Sequence, residues 1–222
     1  MVRDIFEMTQ SENIFCAKRV LVDSVYKQAN LEGIATTYAQ TEDILNNVNV
    51  ESLTPKDISK VCCLRDAWHY LLDHINDDMN MALLETLHEL VARFDVEYQY
   101  LGVLRTDEVM ISGTDYRPEI PDIERLHTEF MELLLIENET ERAIRCGLWL
   151  MRVQPFKDGN KRVGSFLINK ILIEHGRGIF NVPVKLDGTF KQGLVDYYES
   201  GQPEELMEWM LENCIDGTHR IQ

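Results

Sequence analysis

AIRCGLWLMRV-QPFKDGNKR-VGSFLINKILI, residues 143–173, sets a polar loop between two runs that are apolar around most of a helical circumference. Each run therefore predicts a buried helix, over 139–153 and 160–174, and the chain between them has to turn sharply. Two buried helices joined end to end by a charged turn point to a helical core. They also raise the question of what a loop with Lys157, Asp158, Asn160, Lys161 and Arg162 is there to hold.

Outward from this pair, the apolar periodicity predicts a helix over 11–31 stopped by Gly33, another from residue 37, and long amphipathic helices over 55–74 and 81–94. Beyond the centre it predicts helices over 122–137, 188–199 and 204–214. The stretch LGVLRTDEVMISG changes character: short β-prone runs at 101–104 and 109–111 flank a polar Thr106-Asp107-Glu108 turn, which predicts a β-hairpin. The fold class expected is mainly α, a helical bundle with one β-hairpin. No repeat or low-complexity linker divides the chain, so a single domain over 1–222 is expected.

With 222 residues, 22 Lys plus Arg against 38 Asp plus Glu, and a net charge of −16, the chain is a poor partner for a phosphate backbone, so no nucleic acid is expected. No apolar run is long enough for a membrane span and the start lacks a secretory pattern, so no membrane association and a cytoplasmic location are expected. Five scattered cysteines, mostly in helical apolar settings, read as reduced core thiols, and no His/Cys spacing suggests zinc. Oligomerisation stays open.

In the loop, Gly159 lets amide groups at the mouth of the following helix turn toward a common point, where the helix dipole favours an anion. Lys161 and Arg162 occupy the first turn, where that dipole disfavours cations, and their placement makes sense beside a bound phosphate. Asp158 has the chemistry to hold Mg²⁺ between phosphate oxygens. A capped interhelical turn with solvated charges is the bland alternative, which composition does not separate from the first. There is no GxxxxGK[ST] P-loop.

Gln154-Pro155-Phe156-Lys157-Asp158-Gly159-Asn160-Lys161-Arg162 resembles the HPFx(D/E)GNGRxxR signature of the Fic (Fic/Doc) family, whose members typically transfer AMP from ATP to a protein hydroxyl. LGVLRTDEVMISGTDYRPEIP looks like that family's hairpin flap, and LEGIATTYAQTEDIL like the segment around its inhibitory glutamate. The resemblance implies a Fic-type bundle, with an N-terminal helical segment over 1–50 carrying Leu31-Glu32-Gly33 and a core over 51–222. It implies ATP and Mg²⁺ as ligands, with Phe156, Lys157, Asp158, Gly159, Asn160, Lys161 and Arg162 around the nucleotide and Asp158 on the metal. Gln154, Asp158, Asn160 and Arg162 stand at the catalytic positions. Glu32 and Gly33 would be regulatory, and a target protein would dock along a flap that includes Leu104, Val109 and Ile111.

Three departures bear on activity. Gln154 stands where the family has its histidine general base, and an amide has no useful basicity near neutral pH, so transfer is expected to be impaired. Lys161 replaces a glycine, as in the Doc relatives that act as kinases. Ser165 stands at the motif's last arginine, the partner of the inhibitory glutamate, and Gln28 at the Ser/Thr of the inhibitory motif. Glu32 is then expected either to face Arg162 or Lys161 or to be a helix-end carboxylate. The alternatives to an impaired transferase are a nucleotide- or protein-binding pseudoenzyme, a Doc-like phosphotransferase, or a helical interaction domain with a relic loop. The six histidines, none of them next to the loop in sequence, read as surface or helix-end residues.

Overall fold

A computed structural model describes residues 3–221; residues 1, 2 and 222, the ends of the expected domain, lie outside the described residues. Its centre is the helix α8 (Asn160–Glu174), buried along almost its whole length. Against it lies α7 (Glu139–Val153), at backbone contact. A Cβ on Gly147 would come within 2.8 Å of the Gly164 carbonyl oxygen, and one on Gly164 equally close to that of Gly147, so the two glycines set the spacing of the pair. The connecting loop inherits a fixed start and a fixed end.

Around this pair pack α4 (Pro55–Asp73) and α5 (Met81–Val91), with Trp68 of α4 edge-on to Phe166 of α8 at 5.4 Å between ring centroids. The helix α6 (Ile123–Leu134) lies on α7, and α9 (Asp187–Ser200) pairs with α10 (Glu204–Asn213). At the N-terminal end the expected single helix over 11–31 is two, α1 (Gln10–Arg19) and α2 (Leu21–Leu31), broken at Val20. α1 opens with a full capping box between Thr9 and Glu12, a start signal at the position where its pattern begins. α2 lies on α4 and on α3 (Tyr38–Leu45), and Gln28 accepts a hydrogen bond from the Trp68 indole at 3.0 Å.

The mainly helical class with one antiparallel strand pair is as expected, but the pair is elsewhere in the chain. Ile179–Phe180 (β1) pairs with Ile215–Asp216 (β2), closing the ends of the bundle. The segments 101–104 and 109–111 form no ladder with each other among the described residues. Their physical reason for not pairing is Arg105: its amide donates to the Pro155 carbonyl at 2.9 Å, and its side chain reaches back to the Asp107 carbonyl at 2.7 Å. The first arm is thus fastened to the loop instead of to the second arm. Among the described residues no helix is long and apolar enough to cross a membrane, and all five cysteines are free thiols.

Candidate functional site

The loop between α7 and α8 is held from inside by Asn160. Its side-chain oxygen accepts from the Phe156 amide at 3.0 Å, while its NH₂ donates to the Phe156 carbonyl and to Gln154 Oε1, both at 2.8 Å. Asn160 is 2% exposed and Phe156 fully buried, and the side chain of Asn160 is spent on the loop. Gln154 closes α7 in the left-handed region, φ 48°, ψ 60°, an uncommon conformation for a residue with a side chain. Its NH₂ donates to the Met151 carbonyl at 2.6 Å, and both polar atoms of its amide are thereby used within the loop.

Gly159, with φ 80°, caps α8 without any side-chain capping bond, leaving the first-turn amides of that helix uncapped. This is the condition in which a helix start receives an anion. The Asp158 side chain, 59% exposed, accepts from the Gly159 amide through Oδ1 at 2.6 Å and stands 3.5 Å from Arg162 Nη2. No cluster of three or more His, Cys, Asp or Glu side chains suited to a metal occurs among the described residues. A single outward carboxylate has the chemistry to hold Mg²⁺ only together with other oxygens, since that ion commonly takes one or two carboxylates plus phosphate oxygens.

Arg162 is only 6% exposed and lies in a web of acids. Its Nη1 donates to the Val91 carbonyl at 2.6 Å and pairs with Asp95, which Lys60 also holds, while its Nε is 3.1 Å from Glu32 Oε2. Burial works against the guanidinium charge, and Glu32 and Asp95 more than compensate, holding its pKa above the ordinary value. Burial likewise disfavours the Asp95 carboxylate, but Arg162 and Lys60 hold its pKa below the usual range. The other oxygen of Glu32 is 3.5 Å from Lys161 Nζ. Of the two placements open for Glu32, the structure shows the one facing Arg162 and Lys161.

The position of Glu32 is fixed by how α2 ends. Gly33 takes φ 80°, its amide donates to the Asn30 carbonyl at 2.9 Å, and the Ile34 amide donates to that of Ala29 at 3.0 Å, a Schellman turn with Ile34 tucked in. A Cβ on Gly33 would meet nothing within 4 Å, so glycine is needed there for its dihedral angles and not for room. Ser165 is buried, donates to the Lys161 carbonyl at 2.9 Å, and is not among the residues lining the cleft described next.

A cleft of about 530 Å³ opens over the loop, within the range of small-molecule sites. Glu32, Gln154 and residues 158–161 form its floor, Val109, Met110 and Ile111 one wall, and Lys191, Leu194, Val195 and Tyr198 of α9 the other. The spacing of those four places them on one face of α9. Leu104 is not among the lining residues. Lys157 is at the rim, 3.1 Å from Asp107 and over the Tyr100 ring.

Besides Asp95, two residues that matter here were not singled out in the sequence. Arg105 is 2% exposed and has no carboxylate partner among the described residues: it donates to the carbonyls of Gln154 at 2.7 Å, Asp107 at 2.7 Å and Glu119 at 2.6 Å. The Gln154 carbonyl belongs to the C-terminus of α7, where the helix dipole favours a cation. His88, expected as a surface or helix-end residue, is at a helix end, in the last turn of α5, but fully buried beneath the loop. It stacks on Phe156 at 4.1 Å and 5° between planes. Burial drives its pKa down to about 4. With one ring nitrogen accepting from the Gly102 amide and the other near the Asp158 carbonyl, it has no basic site left to replace the motif histidine. A histidine inside the apolar run MALLETLHELV was the one sequence signal for it.

The fold and this loop define the class. Residues 78–172 match the model of the Fic/DOC family. Its fold is shared by residues 134–508 of Fic-1 from C. elegans (19% identity, TM-score 0.78), covering 90% of this chain and 62% of that one. A Fic domain containing signaling protein from Bacteroides thetaiotaomicron follows the same course (15% identity, TM-score 0.72, covering 88% of this chain and 81% of that one). So does a Fic family protein from Desulfovibrio desulfuricans (16% identity, TM-score 0.68, 91% and 62% covered). The chain thus spans less than two thirds of the C. elegans structure it matches. No curated protein matches the sequence.

Proposed function

We propose that the protein is a Fic-type transferase domain that binds Mg²⁺ and ATP in the cleft over the loop, docks a target protein along 101–111, and transfers AMP poorly. The observation that carries this reading is the state of Gln154. The cradle around it is intact, with uncapped amides at the start of α8, Gly159 in its left-handed conformation and Asp158 turned outward. Yet both polar atoms of the Gln154 amide are bonded inside the loop, and an amide has no proton affinity to offer a target hydroxyl. A positioned general base contributes roughly 10²- to 10⁴-fold in rate, and that factor is what the chain lacks.

In this reading the α8 amides and Lys161 receive the phosphates, Asp158 would hold Mg²⁺, and bound Mg²⁺ would neutralise phosphate charge. Glu32, now paired with Arg162 and Lys161, occupies cationic groups that the phosphates need, so it acts as an inhibitory carboxylate on a different arginine from the family's. The Ile111 side of the cleft and the backbone amides of 106–111, which donate no hydrogen bond among the described residues, offer an edge to an extended target segment. Phosphoryl transfer in place of AMP transfer is the second reading, favoured by Lys161 standing 3.5 Å from Glu32 on the cleft floor.

The test is a Gln154→His variant beside the native chain, incubated with α- or γ-³²P-ATP and a cell lysate. Label from the α position on protein should appear or rise sharply in the variant, because a restored base lowers the barrier by about 3–5 kcal/mol. Label only from the γ position selects the second reading. Native transfer as fast as the variant's, or no binding of Mg-ATP by calorimetry, sinks the proposal.

A further inference from the structure

One imidazole joins two stretches of backbone that flank the cleft. The Gly102 amide donates to Nδ1 of His88 at 2.9 Å, which leaves the proton on Nε2, and Nε2 donates to the Asp158 carbonyl at 3.0 Å. The ring lies flat on Phe156, the buried anchor of the loop, so it has little room to tilt away from either partner. The loop packs closely on its side, since a Cβ at Gly159 would lie 3.5 Å from His88 Cδ2 and 3.3 Å from Ala92 Cβ. On the other side Gly102 takes φ 68° directly against the Glu89 side chain. Arg105 ties the same two segments a second time, at Gln154 and Pro155. Two separated ties resist rotation as well as separation.

We propose that His88 is a positioning residue through which the 101–111 segment and the Asp158 end of the loop move as one unit, so that a shift at Gly102 is delivered to Asp158. The significance of the link, joining a docking edge to a metal-binding carboxylate, rests on the function proposed above; the link itself does not, and neither does its test.

Nuclear magnetic resonance of the folded chain reads it directly. Gly102→Ala perturbs the turn, because alanine disfavours φ 68° and its Cβ would lie 2.6 Å from Glu89 Oε1. In the otherwise native chain this change is expected to move the amide resonances of Asp158, Gly159 and Asn160. In a His88→Phe background, which keeps a ring on Phe156 and removes both hydrogen bonds, the shifts at Asp158 and Gly159 should fall severalfold, the remainder passing through Arg105, while the turn itself still responds. His88→Gln, able to donate to Asp158 and accept from Gly102, should restore them, a rescue that a space-filling role would not show. Equal loop shifts in the native and Phe backgrounds overturn the proposal. The native protein gives an independent check should the Phe variant fail to fold: imidazole ¹⁵N shifts must show the Nε2–H tautomer, and a proton on Nδ1 overturns the proposal.

Discussion

From the first residue of α8, Asn160 makes three hydrogen bonds that hold the loop, accepting from the Phe156 amide and donating to the Phe156 carbonyl and to Gln154 Oε1. Asn160→Ala leaves a buried N–H and a buried carbonyl unpaired, and the expected loss is about 2–4 kcal/mol of unfolding free energy, measured by urea denaturation. A loss under half a kilocalorie per mole would mean that the loop is shaped by Phe156 alone. Glu32 makes the opposite case. Its pairing with Arg162 and Lys161 competes with any anion, so Glu32→Ala should raise Mg-ATP affinity roughly tenfold in calorimetry, a gain on the scale of one partly buried ion pair. Unchanged affinity would show that Glu32 does not occupy the phosphate site. The local pattern from Gln154 to Arg162 was legible because these residues are neighbours in sequence. Asp95, His88 and Arg105 were not, because what makes them matter is burial against a loop some 50 to 70 residues away.

At the scale of elements, the helices were legible almost throughout, since apolar periodicity over three or more turns is a strong signal. The break at Val20 carried no glycine or proline to announce it. The expected hairpin failed for a related reason: LGVL and VMI have β-prone side chains, but pairing is decided by where the backbone groups go, and the Arg105 amide goes to Pro155. What periodicity does not show is distance, and in the α7–α8 pair distance is the controlling variable. Gly164→Ala would push a methyl group to 2.8 Å from the Gly147 carbonyl oxygen and 2.9 Å from Met151 Cγ. Forcing the pair apart should cost about 1–3 kcal/mol and lower the melting temperature, and because both loop ends ride on these helices it should also weaken nucleotide binding. A variant as stable as the native chain would show that the helices can separate freely.

For the molecule as a whole, acid is the condition that tests its buried network. His88 and His175 are both held neutral: burial is the larger cause in each, and Arg142, 2.9 Å from His175 Nε2, adds to it. A histidine whose folded pKa lies below its unfolded value contributes stability in full above about pH 6.5, and loses it as pH falls through the folded value, about 4 for His88. Stability to urea should therefore decline from pH 7 toward pH 4, and His175→Gln should flatten part of that decline. A slope unaffected by that change would exclude His175 from the effect.

The Schellman turn that ends α2 has a consequence of its own. Glu32 is delivered to Arg162 by residue count from Gln28, which the Trp68 indole holds. That stretch of helix behaves as a ruler. One residue inserted between Gln28 and Glu32 would swing the carboxylate by about 100° around the helix axis and carry it off its two cations. Such a length change should release Arg162 and Lys161 as fully as deleting the acid, with every charge in the chain still present.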